Sequence, residues 1–198
     1  MNSLTQLSSL ATALPLENID TDQLIPARFM KESRAQGYGG FLLHDMRYNR
    51  DGSPRDFILN HAEAQSSQVL VARRNFGAGS SREAAVYALV DFGFRCVIAP
   101  SFGDIFASNA VNNGLLPALV SEQDCEHLLE LLSSSAVPLC IDLATQIIKV
   151  SEKRIRFDIN PTWKLKLLNG WDDIDLTLAE QSNIDSFRER YLKRYPWL

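Results

Sequence analysis

The chain has 198 residues, with 20 lysines and arginines against 24 aspartates and glutamates, for a formal net charge of −4. That length suits one domain with a full core, and a 45% hydrophobic content is ordinary for a globular chain. The acidic balance, with no lysine–arginine patch, argues against a nucleic-acid partner, and the apolar runs fall far short of a membrane span.

In chain order, Met1–Leu14 is polar and rich in Ser and Thr. It lacks the basic start and long apolar segment of a secretory signal, so a cytoplasmic location is expected. Leu14–Ile19 is a short strand candidate that ends at the turn Asp20-Thr21-Asp22. Met30–Gly40 contains Gly37, Gly39 and Gly40 and reads as a mobile loop rather than core. Phe57–Ala62 shows no decisive periodicity.

From Val69 the pattern sharpens: strand 69–73, helix 81–92, strand 95–99, helix 104–113, strand 116–120 and helix 122–134. Such alternation predicts a parallel or mixed sheet with helices packed on it. Asn113-Gly114 supplies a left-handed helix stop. Leu139–Leu143, Ile147–Val150 and Ile155–Ile159 alternate apolar and polar residues, as antiparallel strands do. Asn160-Pro161 starts a helix, with Asn as cap and Pro at the first position, and Asn169-Gly170 ends it. A last helix, about 183–194, carries Ile184, Phe187, Tyr191 and Leu192 on one face, and its Arg188, Arg190, Lys193 and Arg194 read as a solvated face. With no linker or repeat, the chain reads as one domain over 1–198, its core at about 14–170 and a C-terminal helical extension at about 171–198.

Cys96, Cys125 and Cys140 are odd in number and widely spaced, which fits buried free thiols. An iron–sulfur cluster needs clustered thiolates, so this chain is expected to bind no metal and no cofactor of its own. His44, His61 and His127 lack metal-ligand spacing.

The densest chemistry lies between the strand at Val69 and the helix that follows: Arg74-Asn75-Phe76-Gly77-Ala78-Gly79-Ser80-Ser81-Arg82-Glu83. Two glycines one residue apart allow a tight turn. Ser80 and Glu83 have capping-box spacing, with Ser80 as N-cap. Free N–H groups at a helix start favour an anion, and Arg82 adds a two-pronged donor for carboxylate. The pattern serves two readings, a capped strand–turn–helix junction or a site for an acidic substrate. A phosphate loop lacks its Gly-Lys-Ser/Thr, and Arg82 stands where a hydrolase nucleophile elbow needs Gly.

The serine loop resembles that of the swivel domain of the aconitase superfamily. Other marks stand in order: Asn18-Ile19-Asp20-Thr21-Asp22-Gln23-Leu24-Ile25-Pro26-Ala27-Arg28-Phe29, Pro100-Ser101-Phe102-Gly103-Asp104, Asn112-Asn113-Gly114-Leu115-Leu116-Pro117 and Leu168-Asn169-Gly170-Trp171-Asp172. Together they resemble the stand-alone small subunits of isopropylmalate isomerases, over nearly the whole chain.

The resemblance implies an α/β fold, a layered β/β/α swivelling domain with a mixed sheet. It implies a hydro-lyase of leucine biosynthesis that converts 2-isopropylmalate to 3-isopropylmalate by dehydration and rehydration. A large subunit would complete the enzyme as a heterodimer and hold a 4Fe-4S cluster. Ser80 matches the family's base and Asp22 an active-site aspartate. Ser81, Arg82, Thr21 and Arg28 match substrate-binding positions, although Asp20-Thr21-Asp22 also reads as a plain capped turn and Arg28 as a surface residue. Members often carry Cys at the position of Ala78 and His at that of Ala84. A related hydro-lyase acting on homoaconitate, citraconate or dimethylmalate, or a non-catalytic carboxylate-binding module, fits the same residues.

Overall fold

The computed structural model describes residues 1–133 and 135–197. Position 134, the expected end of one helix, and position 198, the end of the C-terminal extension, lie outside the described residues. Among the described residues there are seven strands: β1 (Gln6–Leu14), β2 (Val69–Ala72), β3 (Cys96–Ala99), β4 (Leu116–Leu119), β5 (Val137–Asp142), β6 (Ile147–Val150) and β7 (Lys153–Arg156). The α-helices are α1 (Thr21–Leu24), α2 (His44–Arg47), α3 (Ala62–Gln65), α4 (Glu83–Phe92), α5 (Asp104–Asn112), α6 (Glu122–Leu131), α7 (Pro161–Asn169), α8 (Asp173–Ala179) and α9 (Gln181–Arg194).

One sheet in the order β4-β3-β2-β1-β5-β6-β7 holds all seven strands. Strands β1 to β4 pair in parallel, and β1 with β5, β5 with β6 and β6 with β7 pair antiparallel. The sheet curls until its ends meet: Leu119 N–H donates to Asp158 O at 3.0 Å, and Asp158 N–H returns a bond to Leu119 O at 2.7 Å. The expected α/β fold with a mixed sheet is therefore present.

Period-two alternation sorts the side chains into two cores. Val69 and Val71 of β2 join Cys96, Ile98, Leu128, Ile141, Ile148 and Leu167 inside the curl, where α6 and α7 pack. Leu70 and Ala72 point the other way, to Leu14, Val97, Leu24, Val86, Leu89 and Phe106 beneath α1, α4 and α5.

The expected strand at Leu14–Ile19 lies instead at Gln6–Leu14, in the middle of the sheet. Leu7 and Ala11 of this strand, and Leu4 just before it, are buried in the core. Its polar residues hid it. Thr12 Oγ1 donates to Ser67 Oγ at 2.8 Å, and Ser9 Oγ accepts from Gln68 N–H at 2.9 Å, so hydroxyls sit in a central strand with partners. The segment expected as a loop at Met30–Gly40 is a run of 3₁₀ turns with Tyr38 buried; Asp91 accepts from Tyr38 N–H at 2.6 Å. The third antiparallel strand falls at Lys153–Arg156 rather than 155–159, because Asp158 turns to pair with Leu119.

In the described part of the C-terminal segment, the expected last helix is α9, and α8 precedes it. Asp172 caps α8 in a capping box with Asp175. Lys166, itself buried in α7, donates to Asn112 Oδ1 of α5 at 2.5 Å and to Asp173 at 2.8 Å, tying α8 to the body.

Candidate active site

Past the sheet end, the segments after β1, β2 and β3 continue side by side. Arg73 N–H donates to Leu16 O at 3.1 Å, Asn18 N–H to Arg74 O at 3.0 Å, Gly77 N–H to Ile19 O at 2.7 Å, and Thr21 N–H to Ala78 O at 2.9 Å. On the other side, Phe76 N–H reaches Ser101 O at 3.1 Å and Gly103 N–H reaches Phe76 O at 2.9 Å. The serine loop therefore sits between two neighbours at the C-terminal ends of parallel strands, where open α/β sheets bind ligands.

Two glycines make the path possible. Gly77 has φ of +72°, and a Cβ there would fall within the Phe106 ring. Gly79 has φ of +97° and faces Asp20 and Thr21. Two asparagines in left-handed geometry, Asn18 at +56° and Asn75 at +61°, face each other, with Asn75 Nδ2 donating to Asn18 Oδ1 at 2.9 Å. Their type fits that geometry, but the sequence does not say that they pair.

The expected capping box at Ser80 and Glu83 is absent. The N-cap of α4 is Arg82, without a side-chain cap bond. Ser80 stands two residues earlier, and its carbonyl accepts from Arg82 N–H at 2.8 Å. The Glu83 side chain instead accepts from Asn113 Nδ2 at 2.9 Å, a link between α4 and the end of α5 that spacing did not reveal. Ser80 and Ser81 are thereby left exposed, their hydroxyls free of a capping duty.

A capping box does form one turn away, at Asp20 and Gln23: Asp20 Oδ1 accepts from Gln23 N–H at 2.7 Å, and Gln23 Oε1 from Asp20 N–H at 2.9 Å. This fixes α1 against the serine loop. Asp22 then forms an ion pair with Arg82. Thr21 is buried, 1% exposed, and its Oγ1 donates to Ser80 O at 3.1 Å. Ser80, Ser81, Arg82 and Asp22 thus share one surface patch, with Thr21 beneath it.

A model of the aconitase C-terminal domain family matches residues 1–123. The 3-isopropylmalate dehydratase small subunit of Caulobacter vibrioides is 44% identical over all of this chain and 99% of its own length. That of Sinorhizobium medicae is 45% identical, with both chains covered in full. The chain belongs to the family of 3-isopropylmalate dehydratase small subunits. A solved 3-isopropylmalate dehydratase structure from Methanocaldococcus jannaschii superposes with a TM-score of 0.65 at 25% identity, covering 92% of this chain and 99% of that one. The swivel-domain fold expected from the resemblance is the fold of this small-subunit family.

Arg28 is directed elsewhere. Its guanidinium pairs with Asp45, which holds that carboxyl below the usual carboxylate range. With His44, Tyr48, Asn49, Arg50 and Arg55 it lines a separate cleft of about 590 Å³. Ala78 contributes its carbonyl to Thr21, a contact independent of its side chain. Ala84 packs, half-buried, against the core beneath α4.

Among the described residues no three His, Cys, Asp or Glu side chains are grouped to hold a metal ion. Cys96 and Cys125 are buried, and burial pushes both thiols up, Cys125 to about 12, the reverse of what a ligating thiolate needs. No described helix is long and apolar enough to cross a membrane.

Proposed function

We propose that this chain is the small subunit of a 3-isopropylmalate dehydratase, interconverting 2-isopropylmalate and 3-isopropylmalate in leucine biosynthesis. The observation that carries the reading is the clamp between α1 and the serine loop. It gathers Ser80, Ser81, Arg82 and Asp22 on one exposed patch, in a chain 44–45% identical to small subunits over its full length.

Ser80 acts as the base that takes the proton alpha to a carboxylate and returns it during rehydration. A serine hydroxyl is a weak base in water, so its alkoxide needs positive field. The α4 N-terminus two residues away and the Arg82 guanidinium supply that sign. Arg82 grips a substrate carboxylate with the guanidinium N–H groups that its bond to Asp22 leaves free. Ser81 donates a hydrogen bond beside it, and Asp22 holds Arg82 in orientation. Lewis-acid chemistry at the departing hydroxyl is assigned to a 4Fe-4S cluster in a large subunit, the partner that completes the enzyme. The complex works in the cytoplasm.

The test is anaerobic reconstitution with a cluster-bearing large subunit and 2-isopropylmalate. Turnover that requires both chains supports the reading. A complex that forms with an intact cluster yet turns over only another hydroxy acid replaces the substrate.

A further inference from the structure

We propose that Thr21 is a positioning residue for the base: its hydroxyl holds the Ser80 carbonyl, and through it the placement of the Ser80 side chain. The proposal rests on the reading of Ser80 as base. The family resemblance implies a substrate contact at Thr21, yet the residue is 1% exposed and its hydroxyl donates to Ser80 O at 3.1 Å.

The loop needs such a tether. Gly77 and Gly79 both hold positive φ, which glycine adopts without a side-chain penalty, so these two residues bring no side chain of their own to anchor the loop. Its ties to the α1 segment come in sequence: Gly77 N–H to Ile19 O, then Thr21 N–H to Ala78 O, then Thr21 Oγ1 to Ser80 O. Thr21 supplies two of these three, one from its backbone and one from its side chain. The side-chain bond is the one that reaches the residue bearing the reactive hydroxyl.

Ser80 O accepts a second bond, from Arg82 N–H at 2.8 Å, so the carbonyl is held from both sides. Fixing that peptide fixes the Cα of Ser80 and the direction of its Cβ. It also couples Ser80 to Arg82, the carboxylate grip. A threonine fits better than a serine would for rigidity, since its β-branch limits χ1. Thr21 is itself held by the Asp20–Gln23 capping box around a single helical turn, which would not persist alone.

The test compares Thr21→Val, which keeps shape and loses the hydroxyl, with Thr21→Ser, which keeps the hydroxyl. Two readouts are taken. Amide hydrogen exchange over residues 76–83 is measured in the free chain, and kcat and KM are measured in the reconstituted, cluster-loaded complex. Thr21→Val should speed exchange in that segment and lower kcat on the order of 10- to 100-fold, the penalty of a misplaced group, with KM within about twofold. Thr21→Ser should restore both.

Wild-type exchange and kcat in Thr21→Val would overturn the proposal. So would a Thr21→Ser variant as impaired as Thr21→Val, which would make volume the cause. A raised KM at unchanged kcat would return Thr21 to the substrate contacts. If Thr21→Val fails to fold by circular dichroism, Thr21→Ala carries the same comparison. Ser80→Ala run in parallel separates the two claims: full turnover there with fast exchange in Thr21→Val would remove Ser80 as base and keep Thr21 as the tether.

Discussion

The Arg82 guanidinium is ion-paired with the Asp22 carboxylate across sixty residues of sequence. Arg82 is the N-cap of α4 and Asp22 lies in α1, so the pair joins the two segments that the clamp brings together. Its value is orientation more than stability. Asp22 is 58% exposed and Arg82 21%, and water screens a pair of that kind.

Arg82→Lys should bind substrate more weakly, because an ammonium cannot present two parallel donors. Losing one charge-assisted bond predicts a KM raised roughly 10- to 100-fold. The measurement is KM in the reconstituted complex. A wild-type value would show that Arg82 does not grip the carboxylate. Asp22→Asn should change stability by less than about 1 kcal/mol, read by urea denaturation.

Gly77→Ala should be costly. Its φ of +72° disfavours any side chain, and the added methyl would meet the Phe106 ring. Strain and overpacking together predict a loss of about 2 kcal/mol or more. A thermal midpoint unchanged from the native chain would contradict the packing of α5 beneath the loop.

The two buried thiols predict a pH dependence. Burial raises the pKa of Cys96 and Cys125 above the unfolded value near 9. Below that pH both thiols are protonated folded and unfolded, and their contribution is fully present. Above it the unfolded chain releases protons that the folded chain keeps, so stability should fall as pH rises, by up to about 1.4 kcal/mol per pH unit for each thiol. Urea midpoints at pH 8 and pH 10 check the sign. Cys96 and Cys125 should also resist alkylation at pH 8 until the chain unfolds.

Legibility in the sequence followed how local each signal was. The α7 boundaries at Pro161 and Asn169 were readable because Asn160, Pro161 and Gly170 act within one turn. Strands β2 and β3 were readable from continuous apolar runs. Strand β1 was not, since its Ser and Thr residues are satisfied by Ser67 and Gln68, nearly sixty residues away. The candidate site residues were legible as types, with Arg82 paired to Asp22 and Thr21 bonded to the Ser80 carbonyl, but their local geometry was less so. Ser80 has cap spacing, but α4 starts two residues later, and the Glu83 side chain is turned toward Asn113. Arg28 lies near Asp22 in sequence, yet Asp45 draws it to another cleft. Such outcomes depend on long-range partners that spacing does not encode.

The most direct measurement is isomerisation of 2-isopropylmalate by the reconstituted complex with wild type and Ser80→Ala. Because the Ser80 side chain caps no helix, the variant should keep its stability within about 0.5 kcal/mol. Its kcat should fall by roughly 10²- to 10⁴-fold, the contribution of a positioned base. Unchanged turnover in a folded, cluster-loaded Ser80→Ala complex would contradict the assignment of Ser80 as the base.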